Sequence, residues 1–210
     1  MDGREGRNRV TPHPMAIIWP CPLTPSSYAW AGKQIIVPSQ VCSACQRPLS
    51  GWGGYWRWVR SEHRLEQRIW IRRGWCACCQ HTQALLPSFL FAHRIDANVV
   101  IGSALEQAAA GSGTRPIAQR LELPHTTVRD WWRRVTATAP LLLAALLAYA
   151  TSVDPAPVTL LMDGVAAVLE ALAQACERTR QRLGTRLPDC WAFWSLISGG
   201  LALAPHTSPP

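Results

Sequence analysis

Alternating hydrophobic and polar positions predict a β-hairpin in the middle of the first half of the chain. Residues 55–60 and residues 67–73 each alternate, so successive side chains point to opposite faces, and residues 61–66 form a polar turn. Trp56 and Trp58 share one face of the first strand. Two interpretations stay open: these rings and the arginines among them contact nucleic acid, or the rings supply the core of a small module.

Before and after this hairpin the pattern is less regular. Residues 16–41 contain four prolines and predict short extended segments rather than a helix. Residues 82–94 predict an apolar connector. Apolar residues at helical spacing then predict a helix that begins after Asp96 as its N-cap and ends at Gly111. Further helices are predicted at residues 141–149, 165–183 and 191–197.

Residues 114–135 predict two helices joined by a short turn. Thr114 is expected to cap the first helix, and Leu123 to fill the turn. The inward positions are expected to be Ile117, Ala118, Leu121, Val128, Trp131 and Val135. A glycine usually occupies the turn position with positive φ, and Glu122 stands there instead, at a cost of about 1 kcal/mol.

Two Cys-x-x-Cys pairs flank the hairpin, and each offers two thiolates from one tight turn, as tetrahedral Zn²⁺ requires. The predicted ligands of a structural Zn²⁺ ion are Cys42, Cys45, Cys76 and Cys79. It stays open whether Cys78 or His81 replaces Cys79. Disulfide bonds, iron and redox chemistry are the alternatives. The apolar run near the N-terminus is too short for a signal peptide, which favours a cytoplasmic location with reduced thiols.

The fold class that follows is α+β: a small β zinc ribbon, then a mostly helical helix-turn-helix domain, then a helical C-terminal segment. The predicted division of the chain is a disordered leader (1–14), a zinc-ribbon domain with an extended N-terminal segment (15–95), the helix-turn-helix domain (96–139), the helical C-terminal segment (140–204) and a loose tail (205–210).

The net charge of +8 lies in the half of the chain that carries the Cys-x-x-Cys pairs, because residues 1–95 hold 12 basic and 4 acidic side chains. A basic module of this kind favours a partner that carries phosphates, although a basic solvated surface is the alternative. The longest apolar run, residues 141–150, is shorter than the roughly 20 residues that a membrane span needs, so no membrane partner is expected.

The predicted partner is double-stranded DNA, with the second helix of the pair in the major groove and Arg129 as the base-contacting residue. The predicted DNA contacts of that helix are His125, Thr126, Thr127, Arg129, Arg133 and Arg134. Ribbon contacts to the DNA backbone are expected from Arg57, Arg60, Arg68, Arg72 and Arg73. The alternative is a plain helical hairpin within a core.

No enzyme is predicted. Asp163 follows an apolar run, as the first acid of a carboxylate transposase would, but only Glu170, Glu177 and Asp189 come after it, in helical context. The first hypothesis is therefore a DNA-binding regulator or targeting protein. A protein-interaction adaptor organised by the zinc ribbon is the second hypothesis, and a metal-dependent nuclease is the third. The C-terminal helices are also candidates for a homo-oligomer interface.

Short motifs occur in order from residue 17 to residue 131: Ile-Ile-Trp-Pro, Val-Pro-x-x-x-Cys-x-x-Cys, Gly-Tyr-Trp-Arg, Arg-Ile-Trp-Ile-Arg-Arg, Cys-x-x-Cys-x-x-Thr-x-Ala-Leu-Leu-Pro-Ser-Phe, Ile-Ala-x-Arg-Leu and Thr-Val-Arg-x-Trp. In this order the chain resembles a family of uncharacterised bacterial proteins that join a zinc ribbon to a helix-turn-helix and are similar to the N-terminal region of insertion-sequence transposases. The resemblance covers about residues 16–135. It implies metal binding by the same four cysteines and DNA binding by the second helix, and it implies no known reaction.

Overall fold

The computed structural model describes residues 16–61, 66–184 and 189–203. Within these ranges the architecture is α+β, as the sequence predicts, with the strands in the first half of the chain and the longer helices after them. The predicted leader (1–14) and the predicted loose tail (205–210) lie outside the described residues.

The strands form one mixed sheet in the order β1-β4-β3-β2. They are β1 (Ala16–Trp19), β2 (Ser50–Arg60), β3 (Glu66–Cys76) and β4 (His81–Pro87). β1 runs parallel to β4, and the other neighbours are antiparallel. β4 occupies the first part of the segment predicted as a connector, residues 82–94, so the prediction is wrong for that part. Its second half is an apolar run buried at consecutive positions, which hides the alternation of a strand.

The hairpin of β2 and β3 confirms the predicted strands and extends beyond them. Pairing continues past a bulge between Gly51 and Gly54 as far as Ser50 opposite Trp75. A Cβ at Gly54 would clash with the Ile71 carbonyl oxygen, so only glycine fits where the strand resumes its pairing. The longer hairpin extends both strands to the cysteine pairs that flank it, since β3 ends at Cys76.

A short helix, α1 (Pro25–Ala31), lies where the prolines predicted extended chain alone. Thr24 caps it, because its hydroxyl accepts from the Ser27 N–H at 3.2 Å, and Pro25 at the first helical position already has a helical φ. Tyr28 is fully buried, and its hydroxyl donates to the Trp70 carbonyl at 3.2 Å. The helix therefore packs onto β3.

The second half of the described chain is helical. Its helices are α2 (Asn98–Ala109), α3 (Thr114–Arg120), α4 (His125–Val153), α5 (Gly164–Leu183) and α6 (Cys190–Ile197). Two predicted caps are wrong. The N-cap of α2 is Ala97, since Asp96 pairs with an arginine of β2, and the N-cap of α3 is Gly113, since the Thr114 hydroxyl contacts His125 Nε2 at 3.0 Å.

Helix α4 is one continuous helix of 29 residues, whereas the sequence predicted a separate helix over residues 141–149. The predicted domain boundary after residue 139 therefore falls inside it. By length and composition alone α4 could cross a membrane: its best 18-residue window has a mean hydropathy of 1.6 and is 22% buried. The prediction that no stretch is long enough to span a membrane is wrong, because it considered only uninterrupted runs of apolar residues.

The sheet and the helices are joined at the end of β2. Arg60 Nε lies 2.6 Å from Asp96 Oδ1, and both side chains are largely buried. The Ala97 N–H donates to the Arg60 carbonyl at 2.9 Å. Asn98, at the start of α2, donates through Nδ2 to the Trp191 carbonyl of α6 at 3.1 Å. These contacts fix the orientation of the helices relative to the sheet.

Candidate metal centre and candidate nucleic-acid interface

Each Cys-x-x-Cys pair lies in a tight turn of the same construction. In the first turn the Gln46 N–H donates to the Cys42 carbonyl at 2.9 Å, and in the second the Gln80 N–H donates to the Cys76 carbonyl at 2.8 Å. Gln46 and Gln80 both have positive φ, 60° and 53°. The left-handed residue closes each turn and leaves the two thiols on its inner side.

The two turns bring four sulfur atoms together. Cys42, Cys45, Cys76 and Cys79 place all their Sγ atoms within 4.8 Å of one another, with Cys42 to Cys79 at 3.8 Å and Cys45 to Cys76 at 3.4 Å. Sulfurs held by one tetrahedral Zn²⁺ at about 2.3 Å lie about 3.8 Å apart. The donor set and its spacing therefore fit a metal ion, and the chain has the four close cysteines that the sequence predicts.

The electrostatics of the cluster favour a bound cation. The hydrogen bond from the backbone at Arg47 lowers the pKa of Cys45, whereas contact with Cys45 and burial raise the pKa of Cys79. Four thiols this close cannot all become thiolates without a compensating positive charge. A divalent metal ion supplies that charge and deprotonates the thiols that bind it.

The two other candidate ligands lie outside the cluster. Cys78 is exposed, and among the described residues the group that could hold a metal contains Cys79 rather than Cys78 or His81. His81 begins β4, and its Nδ1 lies 3.2 Å from the Cys79 carbonyl oxygen. The geometry thus selects Cys79 as the fourth sulfur, a choice that the spacing left open.

A buried glutamine supports the first turn, and the sequence analysis missed it. Gln83 of β4 is fully buried, accepts from the Ser43 N–H at 3.2 Å and donates to the Ser43 hydroxyl. Ser43 lies between the two cysteines of the first pair. Gln83 lies in the segment that was predicted as a connector, next to the polar Thr82, so no signal in the sequence indicated that it is buried.

Most of the ribbon arginines that were predicted to contact the DNA backbone already bind other groups of the protein. Arg57 donates to the Arg94 carbonyl, Arg72 to the carbonyls of Lys33 and Ile35, and Arg73 to the Thr82 hydroxyl. Arg60 pairs with Asp96. Of the five, Arg68 alone is exposed, and its guanidinium lies over the rings of Trp56 and Trp58.

Helices α3 and α4 are joined by a four-residue turn, as the sequence predicts. Glu122 has a φ of 52°, which confirms the positive φ expected at that position, and Leu123 is buried in the turn. The predicted inward positions of the pair are also buried, except for Leu121, which is partly exposed. The inward stripe of α4 consists of Val128, Trp131 and Val135.

The opposite face of α4 carries the residues predicted to contact DNA. Thr126, Arg129 and Arg133 are exposed and lie at i, i+3 and i+7 on one side of the helix. His125, Thr127 and Arg134 are partly buried. Asp130 Oδ1 lies 3.4 Å from Arg133 Nη2, and both side chains of this pair are well exposed. Such a surface pair is weak and does not hold Arg133 away from another partner.

Comparison with known proteins gives one match. A family model described as a domain of unknown function (DUF6431) matches residues 42–131, less than half of the chain. This segment begins at the first cysteine of the cluster and ends within α4, so it includes all four cysteines and the exposed Arg129. No curated protein and no solved structure matches the chain. The comparisons therefore identify no named relative that would support the resemblance to transposases.

Proposed function

We propose that this protein is a DNA-binding protein with a structural zinc ion, and that the N-terminal half of α4 lies in the major groove. The observation that carries the proposal is that the first half of α4 has one buried side and one exposed, basic side. Val128 and Trp131 anchor one side in the core, while Arg129 and Arg133 stand exposed on the other. An α-helix fits the major groove of duplex DNA, and arginine can bind guanine through two hydrogen bonds.

The turn before α4 supports the same proposal. The positive φ of Glu122 and the buried Leu123 let α3 cross close to α4, with the small Ala118 buried between them. Thr126 in the first turn of α4 is exposed, and the partial positive charge at the N-terminal end of a helix favours a phosphate there. Thr126 and Thr127 lie in this first turn and are suited to the same phosphates.

The proposed role of the metal is structural. Four thiolates fill a tetrahedral site and leave no open position for a substrate or a water molecule. The ion would join the two cysteine turns at one end of the β2 and β3 hairpin. The contact of Arg60 with Asp96, just before α2, lies at the other end of β2. A cluster of this kind suits zinc or an iron–sulfur centre by ligand type, and two Cys-x-x-Cys pairs that together supply four cysteines are typical of structural zinc sites.

The test of DNA binding is selection of duplexes from a randomised pool, followed by a titration of the selected site with three proteins. Compared with wild type, Arg129→Ala should lose discrimination between the selected site and a scrambled site, by about 1–3 kcal/mol. Arg182→Ala removes the same charge from an exposed position of α5 and should leave discrimination unchanged. Binding of the selected site by Arg129→Ala at wild-type affinity would contradict the groove assignment.

The second candidate function is a protein-interaction adaptor, which large exposed rings favour. Trp30 on α1 is 92% exposed, and Trp52 at the start of β2 is 56% exposed. Exposed tryptophans of this size are typical anchors of protein interfaces. A selection that returns no motif, together with no salt-dependent retention of any duplex, would favour the adaptor over the DNA-binding protein.

A further inference from the structure

The outer side of the β2 and β3 hairpin carries a cluster of rings and cations that helix α4 does not use. We call it the Trp–Arg face and define it by Trp56, Trp58, Arg68 and Trp70. Trp56 lies opposite Trp70, and Trp58 lies opposite Arg68, so all four side chains project from the same side of the sheet. Trp58 is 56% exposed and Trp56 is 40% exposed. The face is therefore open to a partner.

Positive charge lies at the level of the rings. The guanidinium carbon of Arg68 is 5.4 Å from the centre of the Trp56 ring and 5.7 Å from that of Trp58. On the side of Trp70, the Lys33 ammonium is 5.0 Å from the ring centre. These cation–π contacts hold a cation beside each ring. A polymer that alternates planar bases with phosphates matches this alternation of rings and charges.

The charge of the two strands favours a polyanion over other partners. β2 and β3 together carry five arginines and one carboxylate, Glu66. Four of the arginines bind groups of the protein. The charge of Arg60 is compensated by Asp96, but Arg57, Arg72 and Arg73 bind neutral groups, so their charges add to the local positive potential. Arg68, the exposed one, is the side chain available to meet a phosphate.

We propose that the Trp–Arg face binds single-stranded nucleic acid, with bases stacked on Trp58 and Trp56 and phosphates held by Arg68. The two rings are two residues apart on one strand, which separates them by about 7 Å along the sheet. A flexible single strand can turn its bases onto such rings, whereas a duplex keeps its bases paired and stacked inside. The proposal does not depend on groove binding by α4, because the two surfaces share no residue.

The test measures fluorescence anisotropy of a labelled single-stranded oligothymidylate of about 16 nucleotides, in low and in moderate salt. Trp58→Thr keeps a strand-forming residue but removes the ring, and it should weaken binding on the order of tenfold. Trp58→Phe should retain most of the affinity. Trp52→Thr is the matched control, because Trp52 is also 56% exposed but stacks on Trp75 with ring centres 5.3 Å apart. It should bind as wild type does.

The same proteins are then titrated with a duplex of equal length. Trp58→Thr should bind the duplex normally, and Arg129→Ala should bind the single strand normally, so loss of one activity does not imply loss of the other. Wild-type protein that shows no salt-dependent binding of the single strand overturns the proposal and points to a protein partner for this face. Equal losses in Trp58→Thr and Trp52→Thr overturn it as well.

A second measurement avoids substitutions altogether, in case Trp58→Thr fails to fold by circular dichroism. Wild-type protein is cross-linked by ultraviolet light to a single strand that contains 5-iodouracil, and the attached peptide is identified by mass spectrometry. Attachment at Trp56 or Trp58 supports the proposal. Attachment confined to α4 overturns it.

Discussion

The turn between α3 and α4 offers a direct test of the backbone geometry that positions the proposed DNA-contacting helix. Glu122 has a φ of 52°, in the left-handed region where any side chain with a Cβ is strained by about 1–2 kcal/mol. Glycine avoids that strain but loses about 0.5–1 kcal/mol through the greater freedom of the unfolded chain. The Glu122 side chain also makes contacts of its own. The informative comparison is therefore between Glu122→Gly and Glu122→Ala, because both substitutions remove those contacts.

We expect Glu122→Gly to be more stable than Glu122→Ala by about 1 kcal/mol, which corresponds to about 2–4 °C in Tm for a chain of this size. The assay is thermal unfolding followed by circular dichroism, with urea unfolding as an independent measure and the metal supplied equally to both proteins. If the glycine variant were equal to or less stable than the alanine variant, the strain at residue 122 would not be as the structure describes it.

Three further predictions concern stability and reactivity. Arg60→Ala should destabilise the fold by about 3–5 kcal/mol in urea unfolding, because it leaves the buried carboxylate of Asp96 unpaired; a loss below 1 kcal/mol would contradict a buried pair. Gly102→Ala should cost about 1–3 kcal/mol, because its Cβ would clash with an indole ring packed on α2, and an unchanged Tm would refute that packing. Hydrogen bonding from Cys176 lowers the pKa of Cys190 to about 7, so alkylation of Cys190 should accelerate as pH rises through 7. Cys176→Ala should move that midpoint upward, and a wild-type midpoint near the ordinary thiol value of about 8.5 would contradict the contact.

The parts of the fold that could be predicted are those with a strong local signal. The alternation at Trp56 and Trp58 identified β2, and the helical stripe at Val128 and Trp131 identified the buried face of α4. The spacing of the cysteines identified the four that come together. In each case one short segment contains the whole pattern, so no knowledge of distant contacts is needed.

The parts that could not be predicted depend on neighbours far away in the chain. β4 is defined by its pairing with β3, because its run of buried residues lacks the alternation of apolar and polar positions that marks a strand. A separate helix was expected after Pro140, yet α4 continues through this proline, with Ala139 and Leu146 buried on either side of it. The partners of Arg57 and Arg60 lie more than 30 residues away, so their use within the protein rather than at a surface could not be inferred from composition.

The measurement that tests the central claim most directly is the metal content of three purified proteins by native mass spectrometry and elemental analysis. Wild type should carry one zinc ion per chain. Cys79→Ser removes a sulfur of the cluster and should lose the ion, whereas Cys78→Ser changes the adjacent exposed thiol and should keep it. A metal-free wild-type chain with its fold intact would contradict the account, as would loss of the ion in Cys78→Ser with retention in Cys79→Ser.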